Sequence, residues 1–431
     1  MLNPSRKFKY LVEYGLLFAA AIACQFIFQA ILPAGLRGND SLDYNEYYAV
    51  IAEKISNGVS LENSWYFSDS NENTKHQSAT RTLITNWPPG YPVILSQLFV
   101  ISNIFDIPKY NLVMMFIALT YALTSLVVFS ISMKFTDVQT SLLAATIWMS
   151  YPFNLWLAKQ PNSEVPFMLV LYTAILCFLN HLSTRKLRHL FLSAVLLAAA
   201  TYIRAISFFL PIIFIFIIIQ SSNYKSDSYL NKKQILTFIL IYITLLSPWI
   251  YFVYRETGAI IPMASSASKL SSFTMNHMLT STALDGTALP KDIEIMLSNS
   301  LKYVSEMNPN ESGISTIKII YYNFSNDPIT SIKYLLLKIS RTFYGTDSRR
   351  HEIDAIKIQL LYFAVLVFGL PFLLNRHFFK SIYNYCIILI LMYFITICII
   401  GFPILRYSIP ALGLLSPYLA MIIARYYRIF R

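Results

Sequence analysis

Long apolar runs separated by short polar stretches set the pattern of this chain from end to end. The runs fall near 11–33, 110–133, 139–157, 164–182, 189–203, 205–220, 235–254, 357–374, 382–401 and 407–424. Most approach the roughly 20 residues that a helix needs to cross a hydrocarbon core about 30 Å thick. A shorter run, "YPVILSQLFVISNIF" at 91–105, suits an interfacial or re-entrant helix better than a span. The pattern therefore predicts an all-α polytopic membrane protein, a bundle of about ten transmembrane helices with juxtamembrane helices on the outer face. No alternation of polar and apolar residues in short segments points to a transmembrane barrel.

Basic residues test that count, because Lys and Arg concentrate on the cytoplasmic side of spans. Ten spans place Arg6, Lys7 and Lys9, then Lys134, then Arg185, Lys186 and Arg188 inside. Lys225, Lys232 and Lys233, then Arg376 and Lys380, then Arg425, Arg428 and Arg431 follow on the same side. Counting 91–105 as a full span would move Lys134 outside and invert every later loop. The expected arrangement is a multi-pass protein of the plasma (inner) membrane with both termini cytoplasmic. Two long loops, 34–109 and 255–356, lie on the outer face of a single 1–431 membrane domain. The first of them carries five Lys/Arg against eight Asp/Glu. The N-terminal run from Tyr10 to Leu32 is too long for a cleaved signal core and reads as a retained first span.

Composition agrees with this picture: 56% of the 431 residues are hydrophobic and only 13% are charged, about half the share of a soluble domain. The net charge of +12 is largely topological, so nucleic acid is not an expected partner. Cys24, Cys177, Cys386 and Cys398 all lie within apolar runs and read as small core residues. No internal repeat is visible, which gives inverted-repeat transporters no support.

After the first span comes "LRGNDSLDYNEYYAVIAEKISNG", unusually acidic for the edge of a bilayer. From Asp43 the spacing predicts an amphipathic helix with Tyr44, Tyr48, Ile51 and Ile55 on one stripe. Glu46, Glu53 and Asn57 face away, and Gly58 is a plausible stop. Asp43 and Glu46 also form a D-x-x-E pattern of the kind that caps helix starts, and Asp40 has the same excuse.

Taken together, "DYNEYYAVIAEKISNG" and "NWPPGYPVILSQLF" resemble the first outer loop of polytopic glycosyltransferases of the GT-C fold. The nearest branch is that of the protein O-mannosyltransferases and the aminoarabinose transferase of lipid A. Asp43, Tyr47, Tyr48, Ala52 and Gly58 match its spacing, as do Pro88, Pro89, Gly90, Tyr91 and Pro92. Further along, "NSEVPF" (162–167) looks like the acid-containing turn after span three and "YIRA" (202–205) like the arginine after span five. "SPW" (247–249), "KISRTFYGTDSRRHE" (338–352) and "LRYSIPAL" (405–412) continue the resemblance in order. Departures exist: some relatives carry an arginine directly after the Pro-Trp turn, whereas Arg255 lies seven residues past Pro248. Some also carry aspartate where this chain has Glu164.

The resemblance implies transfer of a sugar from a polyprenyl-phosphate donor to an acceptor on the outer face, with inversion at the anomeric carbon. It implies no obligatory cofactor, and the chain has no dinucleotide fingerprint or P-loop. An inverting displacement needs one base for the acceptor proton; Asp43 is the candidate, with Glu164 as helper. The alternative for Glu164 is structural, since Asn162 or Ser163 could start the next span with Glu164 in its first turn. The leaving phosphate needs cations as its charge develops, and Arg204, Arg406 and Arg341 are the candidates, against headgroup anchoring by snorkelling. Tyr47, Tyr48 and Tyr91 are weaker candidates for lining the sugar. His76, His277 and His351 lack metal-ligand spacing, so no zinc is expected; a divalent ion bridging Asp43 and a phosphate stays open. Expected partners are the donor, a glycan, lipid or protein acceptor, and membrane lipids. A polysaccharide polymerase or ligase is the competing class, with Arg341 to His351 as its mark. A transporter or flippase would want ionisable residues inside the spans, which contain almost none.

Overall fold

The computed structural model describes residues 4–32, 41–68, 81–83, 87–223, 228–258, 260–261, 263, 289–306, 315–346, 352–373 and 381–429. Asp40, His76, His277 and His351, weighed above, lie outside the described residues, as do Arg349 and Arg350 of the quoted "KISRTFYGTDSRRHE". The architecture is the all-α membrane protein that the apolar pattern predicts, with one hairpin of two three-residue strands added. Among the described residues, five helices are long and apolar enough to cross a bilayer, and a bent pair makes up to six. Gly90–Phe105, Leu187–Ile203 and Ala205–Ser221 are shorter apolar helices. Two compact units emerge, residues 1–264 with 423–431 and residues 265–422.

The first unit opens with α1 (Pro4–Ile31). One wide π-helical segment, Asp43–Tyr48, runs directly into α2 (Ala49–Ser56), and the short α3 (Leu61–Ser64) follows. Strands β1 (Tyr66–Ser68) and β2 (Arg81–Leu83) pair antiparallel, Tyr66 opposite Leu83. Then come α4 (Gly90–Phe105), α5 (Lys109–Ser132), α6 (Val138–Ser150), α7 (Pro152–Ala158), α8 (Glu164–Thr184), α9 (Leu187–Ile203), α10 (Leu210–Asn223) and α11 (Ser228–Thr257). The centre is α8, buried nearly all round, which only a helix packed on several sides can be. It packs on α5 and α9. Small residues such as Ala174, Ser193, Ala194 and Ala198 let α8 and α9 approach closely, and Ser193 Oγ donates to the Ala174 carbonyl at 3.0 Å.

Two prolines shape this unit, each with a local remedy. The run 139–157, expected as one span, is broken between α6 and α7. Pro152 has no N–H and drives Tyr151 to an extended backbone (φ −67°, ψ 119°). The carbonyl that Pro152 cannot serve, that of Trp148, is taken by Asn154 Nδ2 at 2.8 Å. Within α11, Pro248 likewise cannot serve the Thr244 carbonyl, and Ser247 Oγ donates to it at 2.9 Å. Both are what the absence of water demands of a proline in an apolar run.

In the second unit, α12 (Lys291–Ser305), α13 (Ser315–Asn326) and α14 (Pro328–Tyr344) share a small core of Ile293, Met296, Leu297 and Ile319. α15 (Glu352–Leu373), α16 (Ile382–Ile400) and α17 (Leu405–Gly413) follow; a 54° bend separates α17 from α18 (Ser416–Ile429), whose residues from 423 on belong to the first unit. Buried Lys338 on α14 donates to the carbonyl of Ile400, the last residue of α16, at 3.2 Å. A cation at a helix C-terminus complements its dipole. Burial holds this amine down at about 8.

Candidate active site

A helix forms after α1, and of the predicted stripe Tyr44, Tyr48 and Ile51 are buried and Ile55 is half-buried, while Glu46, Glu53 and Asn57 are exposed. It ends at Gly58 in the left-handed region (φ +82°), the usual residue just past a helix end. At its start, Ser41 Oγ accepts the Tyr44 amide at 3.4 Å and the Ser41 carbonyl accepts the Asn45 amide at 2.9 Å. Asp43 sits in this first turn, half-buried. Burial pushes the neighbouring Tyr44 phenol up to about 12.

Glu164 is the first residue of α8 and only 1% exposed. A carboxylate there favours the helix dipole. Arg204, at the end of α9 and 7% exposed, donates to Glu164 Oε1 at 2.7 Å and to Ser163 Oγ at 3.1 Å. The structural reading of Glu164, an acid in the first turn of α8, is what this geometry shows. Tyr91 is wholly buried, donates its hydroxyl to the Pro161 carbonyl at 2.8 Å, and meets the Tyr48 ring edge-on at 5.0 Å. Tyr47 is half-buried beside them in sequence. The two acid-bearing elements are joined directly: Ser41 Oγ donates to Asn162 Oδ1.

Residues of three quoted motifs, "NWPPGYPVILSQLF", "YIRA" and "SPW", share one groove. This groove of about 400 Å3 is lined by Trp65, Pro89, Gly90, Tyr202, Pro248 and Trp249, among others. Gly90 is required here by space, because a Cβ would come within 2.7 Å of the Tyr202 carbonyl carbon and oxygen. Since both are backbone atoms, Gly90→Ala is expected to cost about 1–3 kcal/mol of stability, read as a lower melting temperature of the detergent-solubilised protein; unchanged melting would show that α4 shifts freely.

In the second unit, Arg341 is engaged in a buried two-point ion pair with Glu352. Its Nη1 lies 3.0 Å from Oε2 and its Nη2 2.8 Å from Oε1, and the Thr346 amide donates to Oε1 at 3.1 Å. Just past α14, the Gly345 carbonyl accepts the Leu405 amide at 2.8 Å. Arg406, half-buried, follows in the first turn of α17.

Residues 88–252 match the family model described as dolichyl-phosphate-mannose-protein mannosyltransferase. In fold the chain is similar to the oligosaccharyltransferase AglB of the archaeon Archaeoglobus fulgidus. The structure of that protein with an inhibitory peptide and a dolichol-phosphate matches at a TM-score of 0.56 and 12% identity, over 97% of this chain and 51% of that one. Its apo form matches at 0.57 and 12%, with the same coverage. The chain has the GT-C fold. It spans about half the length of the structures it matches, and no curated protein matches its sequence.

Within that GT-C fold, the matched stretch 88–252 contains Gly90, Tyr91, Glu164, Arg204, Pro248 and Trp249. Sequence reasoning missed the partners. Glu352 stands at the end of the quoted "KISRTFYGTDSRRHE", yet nothing in one sequence ties it to Arg341. Ser41 and Asn162 lie 121 positions apart, and only the "NSEVPF" motif drew notice to the second. Among the described residues, no group of three or more His, Cys, Asp or Glu could hold a metal ion.

Proposed function

We propose that this protein is a membrane glycosyltransferase that moves a sugar from a polyprenyl-phosphate donor to an acceptor at the outer face of the inner membrane. The observation that carries this reading is the Ser41–Asn162 hydrogen bond, which joins the turn bearing Asp43 to the turn that opens with Glu164. Two acids that the resemblance assigns to one chemistry are held by adjoining elements. Asp43 takes the proton from the acceptor's hydroxyl or amine as that atom bonds to the anomeric carbon. The bond from that carbon to the phosphate oxygen breaks on the opposite face, and polyprenyl phosphate leaves with the electron pair. Glu164 serves as the buried helper, its position fixed by Arg204.

Arg204 and Arg341 each face a buried carboxylate and hold their own elements in place. Arg406 takes the donor-phosphate role. A cation in the first turn of a helix is disfavoured by the dipole, and a phosphate joining it reverses the sign. The occupation of Arg341 by Glu352 also weakens the polymerase reading, which rested on the 341–351 segment.

Purified protein in bilayers of defined lipid, offered polyprenyl-phosphate sugars with cell-envelope acceptors, tests the function. Release of polyprenyl phosphate coupled to labelled acceptor supports it, and growth of glycan chain length points to polymerisation. Arg406→Ala is expected to raise the donor KM about tenfold or more, corresponding to about 1.4 kcal/mol, with acceptor KM unchanged. An unaltered donor KM would return Arg406 to headgroup anchoring.

A further inference from the structure

The turn between α7 and α8, residues 159–163, is bonded from three separate directions. Ser41 donates to Asn162 Oδ1 from the segment that begins the Asp43 helix. Tyr91 donates to the Pro161 carbonyl from α4, and Arg204 donates to Ser163 Oγ from the end of α9. Asn162 is itself oriented, since its Nδ2 donates to Gln160 Oε1 at 3.1 Å, which turns Oδ1 toward Ser41. Ser41, Tyr91, Asn162 and Ser163 are all buried, so water does not compete for these bonds. Ser41 meanwhile caps the Asp43 turn through the Tyr44 and Asn45 amides.

We propose that Asn162 is a positioning residue for Asp43, acting through Ser41. The proposal rests on the glycosyltransferase reading for its kinetic consequence, but the geometry supplies its logic. Ser41 bonds both the Asp43 turn and the Glu164 turn. A shift at Asn162 passes to Ser41, to the first helical turn, and so to the carboxylate two residues on. Catalysis is sensitive to such shifts, since a 1 Å misplacement can cost on the order of 100-fold.

The experiment uses the full-length protein in nanodiscs, with variants Ser41→Ala, Asn162→Ala, the double variant and Ser41→Thr. Hydrogen exchange gives the first readout and needs no substrate. Both alanine variants should speed exchange of the Tyr44–Tyr48 amides while α8 and α9 keep wild-type protection. In transfer assays each should lower kcat by about 10- to 100-fold with donor KM within about twofold. The double variant should lose no more than Ser41→Ala alone, because both substitutions break the same link and Ser41→Ala also removes the cap on the Tyr44 amide. Ser41→Thr keeps the hydroxyl and should restore both readouts. The proposal is overturned by unchanged exchange at 44–48, by additive losses, by a Ser41→Thr variant as impaired as Ser41→Ala, or by an effect confined to donor KM. Failure of the broader reading looks different: wild-type protein would then transfer no sugar, while the exchange result would still decide whether Asn162 holds the Asp43 turn.

Discussion

Replacing Asp43 by asparagine is expected to abolish sugar transfer and leave the protein folded and inserted in the membrane. The substitution is nearly isosteric, so the first turn of the helix keeps its shape. Tyr44 and Tyr48 keep their burial, and Ser41 keeps its bonds to the Tyr44 amide and to Asn162. What disappears is the ability to take a proton. A positioned base contributes about 10²- to 10⁴-fold to rate, and kcat should fall by that amount while both KM values hold. The measurement is transfer of labelled sugar from a polyprenyl-phosphate donor, with melting temperature and membrane fraction as controls for folding. Substantial activity in Asp43→Asn would remove the catalytic assignment and leave Asp43 as an acid of the helix start. Loss of activity together with lowered melting would point the same way.

The parts of this molecule that one sequence reveals are those with a local period. Tyr44, Tyr48 and Ile51 recur at helical spacing, and the helix forms with that face buried and Gly58 ending it in a left-handed turn. The apolar runs predict the class of fold for the same reason. The break at Pro152 could also be read from the chain, since proline both lacks a donor and pushes its predecessor out of the helical region. It lay inside an otherwise unbroken apolar run, and run length won over backbone chemistry.

Pairings between distant residues were not legible. Arg204 stands out in sequence as a cation at the end of a span and reads as a phosphate ligand. Its carboxylate partner is 40 positions earlier, and only the packing of α8 on α9 brings the two together. Arg341 and Glu352 are close in sequence, yet nothing in one sequence ties the two charges together, and Gly345 beside them meets Leu405 far along the chain. The resemblance supplied which residues matter, and tertiary packing decided which of them are occupied by one another.

The Glu164–Arg204 pair allows the largest stability effect to be separated from chemistry. Both groups are more than nine-tenths buried, and Arg204 also reaches Ser163. Glu164→Gln removes the negative charge and leaves a guanidinium buried against a neutral amide. Breaking a buried pair from one side costs about 3–5 kcal/mol, mostly through the charge left behind. A pronounced drop in melting temperature is therefore expected, together with loss of transfer. That loss alone decides nothing, since a loosened α8–α9 junction would also disturb the Asp43 turn through Asn162. The double variant Glu164→Gln, Arg204→Met separates the causes. With both charges gone the buried charge is relieved, and exchanging a buried ion pair for apolar and neutral groups is often close to neutral in stability. Most of the melting temperature should return. If Glu164 helps orient the acceptor or the base, transfer stays absent in this stable protein. Recovery of transfer along with stability would make the pair purely a fastener between α8 and α9, and Asp43 would carry the proton chemistry without Glu164's help.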